Sequence, residues 1–186
     1  TDIFVTGGTY DNGSAVFTNN TGGTFSVSGF NSSLIIKDIF DSSVVSGITS
    51  VITLVTSQLI PANTFQVGDL IRIRQRGRKT GPGNATQSLY VNTANTVTSA
   101  TLLATYTTVN SNNLFIQSKR DFYIKSSTVT EGFNASLSSA TDEASVASGV
   151  SSRNIDWTVD QYLIFAVNPA SIANTYVVSG YIIERL

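Results

Sequence analysis

Asp69-Leu70-Ile71-Arg72-Ile73-Arg74-Gln75-Arg76-Gly77-Arg78-Lys79 decides the fold class. From Ile71 to Arg76 apolar or neutral residues alternate with arginines at a period of two. Residues two apart in a strand share a face, so this period belongs to β-structure. Arg72, Arg74, Arg76 and Arg78 then line one face, while Ile71 and Ile73 point to the core. Lys79 follows, and five of the 11 cationic residues fall between positions 72 and 79.

Working outward, further strand-like runs appear on both sides. They are Val51 to Val55, Leu89 to Val91, Thr101 to Tyr106, Leu114 to Lys125, Val129 to Leu137, Ile155 to Trp157, Tyr162 to Val167 and Tyr176 to Arg185. Val, Ile, Thr, Tyr and Phe dominate these runs, and such residues suit a pleated, half-buried surface. No stretch offers a convincing amphipathic helix. Ser138 to Ser152 is small and polar and reads as a loop. The expectation is an all-β chain whose residues 51–186 form a jelly-roll-like antiparallel β-sandwich head domain.

Residues 1–33 differ from that head. They hold six of the 14 glycines, and Thr6-Gly7-Gly8-Thr9-Tyr10 returns fifteen residues later as Thr21-Gly22-Gly23-Thr24-Phe25. Asp11-Asn12-Gly13 is a hairpin-type turn signal. Phe25 and Val27 alternate with small polar residues. This reads as a short, glycine-rich repetitive β segment resembling a fibre shaft. Such units bury too little apolar surface to stand alone and need neighbours, here identical chains alongside. Residues 34–50 read as a connector.

Composition narrows the function. Charged residues are 12% of the 186, about half the usual share. The formal net charge of −1 argues against a general nucleic-acid binder. There is no Cys, and hence no disulfide or thiolate metal site, and no His, the commonest general base and metal ligand. Without His a Ser-His-Asp triad is impossible. No run approaches the roughly 20 apolar residues that span a bilayer, so no membrane insertion is expected. The sequence also lacks Met, which reads as a piece of a longer protein. No cofactor is expected. A calcium site of Asp and backbone carbonyls stays open, although no loop has the EF-hand spacing.

The candidate recognition residues are Arg74, Arg76, Arg78, Lys79 and Asn84. Arginine forks match sulfate, phosphate and carboxylate oxygens, and the Gly77 to Thr86 loop beside them has the look of an exposed recognition loop. The alternative is a solvated outer face, or ion pairs to acids on a neighbouring strand or subunit. The same loop lacks P-loop spacing and no helix follows it, which disfavours nucleotide binding. Asp38/Asp41, Asp142/Glu143 and Asp156/Asp160 are the carboxylate pairs open to glycoside hydrolysis, which needs two carboxyls across a cleft. They fall at turns and strand ends, where Asp is ordinarily a turn or cap residue. Trp157 reads as core, and Tyr90, Phe115, Tyr123, Tyr162, Phe165 and Tyr176 as core or interface.

The segment Ile60-Pro61-Ala62-Asn63-Thr64-Phe65-Gln66-Val67-Gly68-Asp69-Leu70-Ile71-Arg72-Ile73-Arg74, with Arg78-Lys79-Thr80-Gly81, resembles the terminal domains of phage fibre and related virion proteins. So does Asn154 to Gln161 with its continuation Tyr162-Leu163-Ile164-Phe165-Ala166. The opening Thr-Gly-Gly-Thr-Tyr pattern looks like the stretch preceding such domains. The resemblance implies a homotrimeric fibre on the virion, joined to other virion proteins through its N-terminal side. Its distal sandwich would bind a host surface glycan or protein without catalysis. A structural virion part without a receptor, such as a head fibre, decoration or fibre-joining domain, is the alternative. A bacterial carbohydrate-binding module and a glycan-cleaving enzyme are more distant ones. No family binding residue transfers, because distal loops vary.

Overall fold

A computed structural model describes residues 3–11, 14–28, 35–38, 45–46, 52–108, 112–133, 150–169 and 171–186. The described residues are strands and turns only, and the chain divides into two compact units, Thr1–Leu34 and Ile35–Leu186.

The first unit is a three-stranded antiparallel meander of β1 (Val5–Asp11), β2 (Ser14–Asn19) and β3 (Thr24–Ser28). Asn19 builds the β2–β3 turn. Its Oδ1 accepts from the backbone N–H of Thr21 (3.1 Å) and of Gly23 (2.8 Å), and Gly22 takes the left-handed φ of +84° that the turn requires. Phe17 and Phe25 stack across the pair at 5.1 Å. The glycine echo is not a structural repeat. Its first copy runs inside β1, whereas its second makes the turn and opens β3. Gly accepts both conformations, and Asn19 selects the turn for the second. Asn12 and Gly13 lie outside the described residues.

The second unit holds eleven strands among its described residues. They are β4 (Ile35–Asp38), β5 (Val45–Ser46), β6 (Thr53–Ile60), β7 (Leu70–Thr80), β8 (Thr86–Asn92), β9 (Thr101–Thr107), β10 (Leu114–Ser126), β11 (Val129–Phe133), β12 (Val150–Asn154), β13 (Gln161–Asn168) and β14 (Thr175–Arg185). One sheet runs β12-β11-β10-β7-β14-β4, with β5 also on β14; the other runs β6-β13-β8-β9, and every pairing is antiparallel. Part of the sequence connector thus pairs with β14. Ile155 and Trp157 follow β12 rather than forming a strand, and residues 150–152, read as loop, belong to β12. Residues 134–149 lie outside the described residues.

The sheets face each other as a β-sandwich. Phe165 of β13 stacks on Tyr181 of β14 at 4.4 Å, and the Tyr181 hydroxyl donates to Gln58 Oε1 of β6 at 2.9 Å. Gln87 Nε2 of β8 donates to the Tyr176 hydroxyl of β14. Ile71, Ile73, Ile124, Val178 and Ile183 from one sheet and Leu89, Val91, Leu163, Phe165 and Val167 from the other are all buried. Fully burying each such side chain is worth about 1.5–3 kcal/mol. The strand order agrees with the jelly-roll-like expectation, with β11 and β12 added beyond β10 at one edge. Among the described residues β4-β14-β7-β10 and β6-β13-β8-β9 interleave strands distant in sequence, as the two sheets of a jelly roll do, while β8–β9, β10–β11 and β11–β12 keep consecutive strands side by side. Hairpins such as Ser126 to Val129 close with little loop entropy, which favours local pairing.

Gly77 of β7 points inward under Tyr176, and a Cβ there would lie 2.7 Å from the ring. Gly77→Ala is expected to lower stability by about 1–3 kcal/mol, as overpacking does. Urea unfolding followed by the fluorescence of buried Trp157 checks this, and an unchanged midpoint would refute it.

Candidate functional site

The alternation on β7 places Arg72, Arg74, Arg76 and Arg78 on the outer face of the larger sheet. Ile71, Ile73, Gln75, Gly77 and Lys79 are buried on the inner one. The four arginines do not form one continuous cationic ledge. Arg72 makes a two-pronged pair with Asp121 of β10, Nε to Oδ1 at 2.8 Å and Nη2 to Oδ2 at 2.7 Å. Arg74 Nη2 donates to Glu184 Oε2 of β14 at 2.6 Å. Both pairs are partly exposed, so each contributes about 0–1 kcal/mol. Their main effect is to hold two guanidinium planes in place.

Arg76 and Arg78 are exposed farther along the strand. In register, Arg78 lies opposite Phe115 of β10 and Arg76 opposite Gln117. Phe115 is 65% exposed. An aromatic ring beside a guanidinium is a common recognition pairing, and Phe115 is thus on the surface, which differs from the core position open to it from sequence. The parity of β10 carries the missed signal. Ile116, Ser118, Arg120, Phe122 and Ile124 face inward, so Phe115 and Tyr123 face outward.

Lys79 is separated from the arginines. It is 1% exposed, and its Nζ donates to the carbonyls of Gly81 and Gly83, both at 2.6 Å. Burial lowers its pKa. The same odd parity as Ile71 and Ile73 turns it inward, where its ammonium clamps the loop after β7 instead of meeting a ligand. Buried Asn174 completes the clamp. Its Oδ1 accepts from Gly83 N at 2.8 Å, and its Nδ2 donates to the carbonyls of Asn84 and Pro169 at 2.6 Å each. Gly81 has φ +88°, and a Cβ on Gly83 would lie 2.8 Å from Asn174. The Asn84 side chain is exposed on this rigid loop. The loop sits at the end of the unit opposite Leu70, where Glu184 of β14 meets Ile35 of β4.

Asp38 ends β4, whereas Asp156 and Asp160 lie in the turn between β12 and β13. Asp156 Oδ1 accepts from Thr158 N at 2.9 Å and Thr158 Oγ1 at 2.6 Å, and Asp160 Oδ1 accepts from Ala62 N at 2.8 Å. Between them Trp157 is buried. Its Nε1 donates to Thr130 Oγ1 at 2.8 Å and its ring meets Phe65 edge-on at 5.0 Å. Asp41, Asp142 and Glu143 lie outside the described residues. Among the described residues no three His, Cys, Asp or Glu side chains converge as a metal site.

Lys79→Met is expected to leave two loop carbonyls unsatisfied, costing about 1–3 kcal/mol. It would also speed amide exchange across residues 81–85, while exchange at the old rate would count against the clamp. Hydrogen bonds from Thr158 hold the Asp156 carboxyl below its usual 3.8, and bonds from Lys125 and Ser152 hold Glu131 below its usual 4.5. Their stabilisation is present above those unfolded values and is lost as pH falls through the lower folded ones. The urea midpoint is therefore expected to drop between about pH 5 and about pH 3. The drop should shrink in a variant carrying Asp156→Asn and Glu131→Gln.

No family model matches this chain, and no curated protein matches it. Among solved structures the chain is similar to one of infectious bursal disease virus, Gx strain. Identity is 12% and the TM-score 0.26, with 96% of this chain and 50% of that chain covered. The chain thus spans about half the length of that neighbour, and similarity at this level carries no argument about function.

Proposed function

We propose that this chain is the outer module of a phage fibre on the virion surface. It assembles with identical copies and binds a host surface receptor, most simply a glycan, without catalysis. The observation that carries the reading is the first unit. Ala15 is its one buried hydrophobic among the described residues, while Ile3, Phe4, Val5, Phe25 and Val27 are exposed. A three-stranded meander with so little of its own core needs cover. Copies of the same sheet supply matching apolar surface, and three is the number that the fibre resemblance implies. The N-terminal side would join other virion proteins. At the end of the sandwich opposite Leu70, Arg78, Phe115 and Asn84 offer charge, an aromatic surface and an amide on a rigid support. Three such sites on one axis gain by avidity.

A structural virion part without a receptor is the second reading. It is favoured by Arg72 and Arg74, which spend their charge on Asp121 and Glu184. Adsorption competition separates the two, because a purely structural part neither binds host cells nor blocks infection.

Light scattering is expected to give three times the chain mass of 19.8 kDa. A variant carrying Phe25→Ser and Val27→Ser should raise the concentration at which trimers dissociate by about tenfold or more, since each exposed aromatic or valine contributes on the order of 1 kcal/mol or more when covered. A single chain at micromolar concentration, with slow amide exchange through β1 to β3, would overturn the fibre reading.

A further inference from the structure

The outer face of the sandwich holds a small cavity of about 110 Å³ at an irregularity in β14. The β14–β7 register shifts between Val178 and Gly180, so Ser179 is an extra residue with no opposite number on β7. Gly180 has φ +140°, a value that favours glycine. A bulge of this kind bends the strand and re-aims side chains. Arg74 and Arg76 of β7, Ser179, Gly180 and Ile182 of β14, and Asp38 of β4 line the space it opens.

Two polar atoms of this lining lack partners. Arg74 Nε and Ser179 Oγ are buried and make no hydrogen bond within the protein. Buried donors are normally satisfied, and an unmet one calls for an explanation. Glu184 already holds Arg74 Nη2, which fixes the guanidinium plane and leaves Nε for a different acceptor. Arg76 adds a second guanidinium at the rim.

We infer that the bulge of β14 is a seat for the carboxylate of an acidic sugar residue, received by Arg74 Nε, Ser179 Oγ and the Arg76 guanidinium. The inference rests on the receptor-binding half of the function proposed above and names its ligand. Local charge selects a monoanion. Arg74 is balanced by Glu184, and Asp38 lines the same cavity as Arg76, so a doubly charged phosphate would meet uncompensated repulsion. Asp38 instead accepts from a neighbouring hydroxyl, which a uronic acid carries and a simple carboxylate does not. The volume is well below the roughly 300 Å³ of a whole-ligand pocket. It therefore holds the acid group while the ring lies on the open sheet beside Ile182.

Calorimetry on the full chain tests this with four probes: an oligogalacturonate, its methyl ester, a sulfated oligosaccharide and inorganic phosphate. The free acid is expected to bind at least about tenfold tighter than the ester, because a hydrogen-bonded charge is lost on esterification. Arg76→Gln and Ser179→Ala should each weaken it severalfold without moving the thermal midpoint. Asp38→Asn should raise affinity for inorganic phosphate. Equal binding of acid and ester, preference for phosphate or sulfate, no binding of the acid, or full affinity in a folded Arg76→Gln protein would each overturn the assignment. A trimer that blocks adsorption yet ignores uronate sinks this seat alone. A monomer that binds uronate sinks the fibre and leaves the seat standing.

Discussion

The two-residue alternation of β7 is the constraint on which the larger unit depends. This strand lies between β10 and β14 and pairs with each through ten residues, with one bulge on the β14 side. Shifting it by one residue would turn four arginines into the core and expose both isoleucines. The register also brings Gly77 under Tyr176, whose hydroxyl meets Gln87 from the opposite sheet. A larger residue at 77 would push that ring away. The spacing of the two sheets at this point therefore depends on one absent side chain.

Several polar groups are buried in the larger unit, and its buried cations bind backbone. Buried Arg120 donates to Thr105 O at 2.9 Å and buried Arg153 to Leu102 O at 3.2 Å, so two arginines of the larger sheet hold β9, the edge strand of the smaller one. Arg153 also lies 5.7 Å from the Phe122 ring centroid. Removing charge from water is costly unless hydrogen bonds replace the lost hydration. Carbonyl acceptors serve here, as they do for Lys79. The arrangement stiffens the framework that carries the exposed loops, with buried cations acting as cross-links between segments distant in sequence.

The two units divide the labour in the proposed fibre. The first has a hydrogen-bonded turn and stacked phenylalanines but scarcely any interior, so its geometry is local and its stability is borrowed. The second has a full interior and lends its surface. On that surface the arginine stripe splits according to what lies beside each position. Acids flank Arg72 and Arg74, whereas Phe115, Gln117 and a backbone irregularity flank Arg76 and Arg78. In the proposed fibre, recognition chemistry then belongs to Arg76 and Arg78, the more exposed half of the stripe.

Much of this was legible in the residues. Period two, β-branched composition and turn signals located most strands of the sandwich, because alternation is a local consequence of burying one face. Parity alone could have turned Lys79 inward and Phe115 outward, since each lies one step out of phase with its neighbours' accepted role. Strand order was not legible, as periodicity says which face is buried but not which strand lies alongside. The glycine echo misled for a related reason: identical glycines are permissive, and Asn19 decides which copy becomes a turn. The pairing of Arg74 with Glu184, 110 positions away, and the extra residue at Ser179 exist only once β14 lies against β7. Sequence by itself determined what each strand could bury; tertiary structure decided which charges were neutralised and where an unmet donor remained, because those depend on neighbours that only folding brings together.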